Sequence, residues 1–287
     1  MACYQLTVEP AADGQRIDAF IRRFLPDMPS QTLREAFAHR DVKLDGKRVK
    51  PDMRVSAGQC VQVYCMELAA DALQVVYEDA DVLLVNKRPG ISVEPDGGGT
   101  SLIELALRHV RLQDPDAFAP VACHRLDNQT CGIVVLAKNG RSADILTKSF
   151  RDRTMDKRYI CLVRGQPKPA EAVCRAWLVK DAEAAHVTVL DHSVAGARPI
   201  VTEYETLEAG PVSRLRVHLV TGRTHQIRAH MAALGHPLLG DDAYGDRAFN
   251  RQQHVRRLML CAAQITLETG GTLPQLDGKT FTVPCPF

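Results

Sequence analysis

The stretch 123–139, CHRLDNQTCGIVVLAKN, holds the densest polar chemistry in the chain. It sets His124, Arg125 and Asp127 in a polar turn just before an apolar run. Charged groups at the mouth of a buried strand need partners or a ligand, because burying an unpaired charge is costly. A lone Asp before a turn is ordinarily a turn former. With Arg125 and Thr130 beside it, Asp127 also reads as a bound, oriented carboxylate. A second stretch, 214–245 (RLRVHLVTGRTHQIRAHMAALGHPLLGDDAYG), puts Arg223, Thr224 and Gln226 behind Gly222 at the start of a predicted helix. Free N–H groups and the helix dipole favour anions there, and a guanidinium would grip a carboxylate or phosphate with two parallel bonds. His225 and His230 are five apart and H-E-x-x-H is absent, so a helical zinc pair is not expected. In a third stretch, DKRYICLVRG (156–165), Tyr159 opens an apolar strand behind Lys157 and Arg158. Such a Tyr is usually core, but it could offer a stacking face and a phenol to a nucleobase.

Positioning these residues requires a sheet. VLLV (82–85) reads as a buried strand ending in the turn Asn86-Lys87-Arg88-Pro89-Gly90, and DGGGT (96–100) reads as a loop. Ser101 and Glu104 form a capping box opening a helix to about 112. Strands are predicted at 133–137, 158–163, 173–179, 186–190, 200–205 and 214–220. Ser142 is expected to cap a helix to about 153, and the 222–234 helix closes at Gly235 and Pro237. Strands this close without regular helical crossovers predict an α+β fold with a mixed, largely antiparallel sheet. In front of it, Ile17, Phe20, Ile21, Phe24 and Leu25 recur at helical spacing, and Pro26 and Pro29 should stop that helix. Ser30 is the expected cap of a second helix carrying Leu33, Ala36 and Phe37. Asp45-Gly46 between Val42, Leu44 and Val49 marks a hairpin, and VSAGQCVQVY continues the β pattern. The expected domains are a small module at 1–66, an acidic, Ala-rich linker at 67–74 and a larger domain at 75–287.

The net charge of +2 conceals a pattern. Segments 14–60, 138–164 and 214–257 carry ten Lys/Arg against six Asp/Glu, eight against three, and eight against three. That is +4, +5 and +5, whereas 67–81 carries five acids and no base. Basic segments separated by an acidic one fit a polyanion-binding face. Nine cysteines without C-x-x-C spacing, in a chain too large to need stapling, read as reduced thiols and a cytoplasmic setting. No apolar run of transmembrane length and no secretory leader pattern is seen. G-x-G-x-x-G and the P-loop pattern are both absent, so neither a dinucleotide nor a nucleoside triphosphate cofactor is expected.

The three stretches together resemble the RluA-type pseudouridine synthases. The family's H-R-L-D-x-x-T-S-G stands here as 124–132, HRLDNQTCG, and its K-x-Y strand as Lys157-Arg158-Tyr159. G-R-T-H-Q-I-R is unbroken at 222–228, its continuation is GHPLLGDDAYG, and the N-K-P-G turn appears at 86–90. Cys131 stands for the usual Ser, Arg88 interrupts the turn, and Cys261 stands where His is usual. Residues 14–65 resemble the ribosomal-protein-S-four type of RNA-binding module, with Arg22, Arg34, Arg40, Lys43, Lys47 and Arg48 on its second helix and hairpin and at the end of its first helix.

The resemblance implies an RNA uridine isomerase that needs no cofactor and no metal. The chemistry breaks a C1′–N1 bond, turns the uracil over and rejoins it through C5. Asp127 would be the catalytic carboxylate, as nucleophile at the ribose or as a base driving cleavage. Arg223 would be its cationic partner, and Tyr159 would stack on the base. The target uridine must leave its helix, and Arg125 would fill the vacated space or else form a structural ion pair. His124, Thr130, Gln226 and Arg228, with the basic residues of the module, would contact RNA. The module favours large-subunit ribosomal RNA as substrate over transfer RNA; no membrane partner is implied, and a monomer is expected. Two other classes remain at this stage. One is a catalytically silent RNA-binding or assembly factor; the other is a thiol enzyme using Cys123 or Cys131 beside His124.

Overall fold

The computed structural model describes residues 2–25, 28, 30–65, 73–96, 100–114, 116–181 and 186–287. The expected proline stops at Pro26 and Pro29, the side chain of the expected Ser30 cap, most of the 67–74 linker and the centre of the 96–100 loop lie outside what is described. The chain divides into two compact units, Met1–Ala72 and Leu73–Phe287.

The first unit is built from β1 (Ala2–Thr7), α1 (Ile17–Phe24), α2 (Ser30–Ala38), β2 (Val42–Leu44), β3 (Lys47–Arg48) and β4 (Cys60–Cys65). Its antiparallel sheet runs β1-β4-β2-β3. The apolar stripe of α1 buries Ile17, Phe20 and Ile21 against Leu33, Val42, Val61 and Val63. Asp45 and Gly46 both take positive φ, 48° and 77°, as a two-residue turn matching the strand twist requires. Strand β1, where no element is expected from the sequence, pairs in register with β4 from Ala2↔Cys65 to Thr7↔Cys60.

The second unit comprises β5 (Val75–Glu78), β6 (Val82–Lys87), α3 (Leu102–Gln113), β7 (Val121–Ala122), β8 (Cys131–Ala137), α4 (Gly140–Asp152) and β9 (Asp156–Arg164). It continues with β10 (Glu171–Asp181), β11 (His186–Leu190), β12 (Arg198–Glu208), β13 (Val212–Leu219), α5 (Gln226–Ala233), α6 (Arg247–Gln252), β14 (Leu260–Thr266) and β15 (Thr280–Thr282). The main path of the sheet is β11-β10-β12-β13-β9-β14-β8-β6-β5, with β7 on β8 and β15 on β14. Among the described strands, β8–β14 is the one parallel pair, so the architecture is α+β with a mixed, largely antiparallel sheet.

The centre of this sheet is covered on both faces. Leu83, Val85, Val134 and Leu136 meet α3 and α5 through Leu102, Ala106, Val110, Ile227 and Met231. Their strand neighbours Val82, Leu84, Ile133 and Val135 meet Leu146 of α4 on the other face. Double burial explains why β6 and β8 read as continuous apolar runs rather than alternating ones. Truncating such a side chain, for example Leu136→Ala, costs about 2–5 kcal/mol.

Of two expected helix caps, one is found as expected and one is corrected. The 101/104 capping box is present on both sides of the exchange. The α4 cap, however, is Asn139 rather than Ser142: Asn139 takes extended φ −152° and its side chain accepts from Ser142 N. Ser142 lies inside the helix and donates Oγ to the Asp81 carbonyl at 2.7 Å.

Candidate active site

Asp127 stands on the loop between β7 and β8. The Thr130 N–H donates to the Asp127 carbonyl at 3.0 Å, closing a tight turn at the strand entrance. Beyond the turn, β8 runs close against β14. Gly132 has φ +115°, and a Cβ there would lie 2.3 Å from the Ala262 carbonyl oxygen, so only glycine allows the pairing. From below, Lys87 anchors the loop. This 1%-exposed side chain donates Nζ to the carbonyls of Arg88 (3.1 Å), Ile91 (2.8 Å) and Asn128 (2.9 Å). It thereby ties the 86–90 turn to the residue after Asp127. Burial lowers its ammonium to about 8.

The Asp127 carboxylate meets α5. Arg228 Nη1 donates to Asp127 Oδ2 at 3.1 Å. The same guanidinium grips Asp241 with two parallel bonds, Nε to Oδ2 at 2.8 Å and Nη2 to Oδ1 at 2.9 Å. Asp241 is fully enclosed and also accepts from Ala243 N and Tyr244 N at 2.9 and 3.0 Å. The Asp241 loop is itself tightly built, since a Cβ on Gly240 (φ +71°) would lie 1.8 Å from the Arg257 carbonyl oxygen. Burial pushes the Asp241 carboxyl up, but Arg228 and the two amides outweigh it and leave it below its ordinary range. Burial likewise opposes the charge on Arg228, and the two carboxylates more than restore it. The result is a carboxylate–guanidinium–carboxylate chain whose outer member, Asp127, keeps about a quarter of its side chain accessible.

The expected Arg223 partner is therefore corrected. Arg223 is exposed, and its guanidinium forms no ion pair among the described residues; the helix begins at Gln226, so residue 223 lies in the preceding turn and residue 228 faces inward. Four other expected RNA contacts also turn inward. Gln226 is 2% exposed, accepts from Thr221 Oγ1 and Arg223 N, and donates to the Val201 carbonyl and Thr202 Oγ1. It holds the turn rather than a ligand. Thr130 is buried. His124 stacks on Phe150 and accepts the Val135 N–H at Nε2, and burial drops its imidazole to about 3. Arg228 is held between Asp127 and Asp241. Arg125 remains outside, in an exposed pair with Glu94 at 3.0 Å. For the thiol alternative, burial pushes Cys123 up to about 12, His124 is committed to Val135, and Cys131 is buried with its thiol on the Leu260 carbonyl at 3.5 Å.

Tyr159, on β9, packs its ring into the core face shared with α5. Burial and the charge of Asp127 both push its phenol up, so it stays protonated and adjacent to that carboxylate. His225 caps α5 in the left-handed region, φ 53°, with Nε2 3.9 Å from Asp127 Oδ2. Neither Lys87, Asp241 nor His225 was singled out for a role from the sequence; the unbroken 222–228 and 235–245 motifs and the 86–90 turn were the available signals. In the first unit, Arg22, Arg34, Arg40, Lys47 and Arg48 are exposed, and Lys43 is half-buried with its ammonium 4.7 Å above the Tyr64 ring.

An ion-paired, accessible carboxylate beside a buried tyrosine, on a sheet carrying these ordered motifs, defines a class. Residues 81–233 match the RNA pseudouridylate synthase family, and the chain belongs to that family. The chain is 33% identical over 285 residues to the ribosomal large subunit pseudouridine synthase C of Salmonella typhimurium, covering 91% of this chain and 88% of that protein. It is 34% identical over 272 residues to the enzyme of the same name from Vibrio vulnificus, covering 88% and 84%. Among solved structures it resembles human RNA pseudouridylate synthase domain containing 1, with TM-score 0.59 and 26% identity over 77% of this chain and 92% of that one. The fold is also that of human RNA pseudouridylate synthase domain containing 4, with TM-score 0.63 and 23% identity, covering 76% and 91%. Among the described residues, no helix is long and apolar enough to cross a membrane.

Proposed function

We propose that this enzyme converts specific uridines of large-subunit ribosomal RNA to pseudouridine, with Asp127 as the catalytic carboxylate. The observation that carries the reading is the chain from Asp127 through Arg228 to Asp241. It fixes a carboxylate at the entrance to β8 while leaving one edge accessible. A glycosidase acting on C1′ with water would ordinarily need a second carboxylate as acid or base. Here the neighbouring carboxylate, Asp241, is enclosed and consumed by Arg228, which suits an isomerisation in which the base itself returns.

Asp127 acts on the ribose as nucleophile or as base. In either route the electron pair of the C1′–N1 bond passes to uracil, which then rejoins C1′ through C5 and loses the C5 proton. Tyr159 supplies a stacking face for the turned base. Arg125 is exposed, and its pair with Glu94 is of the weak surface kind, so it is free to enter the space the flipped uridine leaves. The exposed cations of the first unit supply the phosphate contacts of an RNA-binding module. The ribosomal target rests on the names of the relatives and on that module. Carbodiimide mapping of pseudouridine in ribosomal and transfer RNA incubated with the protein tests the whole reading, with Asp127→Asn as control. Discrete large-subunit sites, absent with the variant, are expected. Modification confined to transfer RNA would overturn the substrate, and tight binding with no modification would overturn the activity.

A further inference from the structure

Beside the Asp127 carboxylate stands an imidazole that the steps above leave unused. His225 has three features in common with groups held for function. Its backbone occupies the left-handed region at φ 53°, which a non-glycine residue enters at a cost and keeps only when its surroundings require it. Its Nε2 faces Asp127 Oδ2 at 3.9 Å, close enough to share a substrate atom and too long for a direct hydrogen bond. Its Nδ1 lies 2.9 Å from the Tyr244 hydroxyl.

The third contact fixes the proton. The Tyr244 oxygen already accepts the Val187 N–H at 3.0 Å. The arrangement that also gives the phenol's own hydrogen a protein acceptor has Tyr244 donating to His225 Nδ1, and the imidazole then carries its hydrogen on Nε2. Tyr244 cannot easily swing away, because His186 stacks on its ring at 4.4 Å and the Arg228 guanidinium lies 5.2 Å from its centroid. Around the imidazole stand Asp127, Arg228, Asp241 and His186. Burial, with Arg228 and His186, disfavours a charge on the ring more than the two carboxylates favour it.

We infer that His225 is a neutral hydrogen-bond donor to the departing uracil, its Nε2–H aimed into the reaction site by Tyr244. The inference rests on the isomerase reading above. When C1′–N1 breaks, negative charge grows on the uracil, and its O2 is one carbon removed from N1. A donor adjacent to the atom that attacks or deprotonates the ribose is within reach of that oxygen. No proton changes hands at His225; the bond only strengthens as charge builds, which is the condition for lowering a barrier rather than merely binding. A neutral donor also avoids placing a second full cation against a ribose that itself becomes electron-poor. Tyr244 is the positioning residue that sets the tautomer.

The test pairs kinetics with a structural signature. In 15N-labelled protein, imidazole nitrogen shifts should show His225 with hydrogen on Nε2 and a bare, hydrogen-bonded Nδ1, and Tyr244→Phe should move the Nδ1 signal. His225→Phe should lower kcat roughly a hundredfold, the usual cost of one lost donor of this kind, with KM nearly unchanged. His225→Gln, which offers an N–H at a similar reach, should recover most of that loss. Hydrogen on Nδ1, or a His225→Phe enzyme with unaltered kcat, would overturn the inference while leaving the isomerase reading intact. An unaltered protein that makes no pseudouridine in any RNA would overturn both.

Discussion

The two units hold their positive charges in opposite ways. In the first, Arg34, Arg40, Lys47 and Arg48 stand on the surface of a small sheet-and-helix module. In the second, the decisive cation is Arg228, with only 11% of its side chain exposed and a carboxylate on either side. An exposed cation acts over a Debye length and weakens with salt. An enclosed one acts at one distance, and its removal leaves a buried charge behind. Equal residue types thus do different work, and burial decides which. The contrast recurs within a single motif, where Arg223 points out and Arg228 points in.

The largest expected effect is at the carboxylate. Asp127→Asn keeps shape and removes charge, so release of tritium from C5-labelled uridine in RNA should fall by roughly 10⁴-fold or more. Its urea midpoint should barely move, because Arg228 retains Asp241. A variant that loses both activity and fold would mean that the site is merely structural.

Arg228→Ala should cost both. Leaving Asp241 enclosed without its partner is expected to lower stability by about 3–5 kcal/mol at neutral pH, read from urea titration. The sign with pH follows from Asp241, whose folded-state value is depressed. Its contribution is present above the unfolded carboxylate value of ~3.9 and is lost as pH falls through the lower folded value. The gap between Arg228→Ala and the unaltered protein should therefore narrow below about pH 4. A gap that is constant down to strong acid would remove the ion pair from the account.

Lys87→Met leaves three backbone carbonyls without their donor. A loss of about 1–3 kcal/mol is expected, together with a fall in kcat larger than any fall in RNA affinity, since the loop bearing Asp127 loses its anchor. Equal loss of kcat and affinity would make Lys87 a general core residue.

The smallest effect on chemistry belongs to the first unit. Replacing both Lys47 and Arg48 by Ala should leave stability and single-turnover rate unchanged while weakening RNA binding. The slope of log affinity against log salt should flatten by about 2 at most. An unchanged slope would take these cations out of the RNA contact.

Much of this was legible from sequence where local physics is self-sufficient. The 45–46 turn, the 101/104 capping box, the α1 stripe and strands β6 and β8 to β13 follow from spacing alone, whereas β5, β7, β14 and β15 were not expected. Asp127 was legible because a polar turn before a fully apolar strand needs a reason. Strand β1 was missed although Tyr4, Leu6 and Val8 alternate, because a short run at the chain start offers one side of a ladder whose other side lies more than fifty residues on. Arg223 was expected as the partner because the family resemblance assigned it, and its place in the predicted first turn of a helix fitted an anion site. The helix in fact starts three residues later, and its inward face is set by contacts to β12 and to the 241 loop. Gln226, Thr130 and His124 read as polar and available, yet each is absorbed by the fold's own backbone groups or core.

The two arginines of one motif give the most direct test. Arg228→Lys and Arg223→Ala, assayed side by side for tritium release from C5-labelled large-subunit ribosomal RNA, separate the inward cation from the outward one. Lysine cannot reproduce the fork, and a catalytic group misplaced by about 1 Å can lose about a hundredfold in rate. The account predicts that loss for Arg228→Lys and a rate within a few-fold of normal for Arg223→Ala. The reverse order would contradict it.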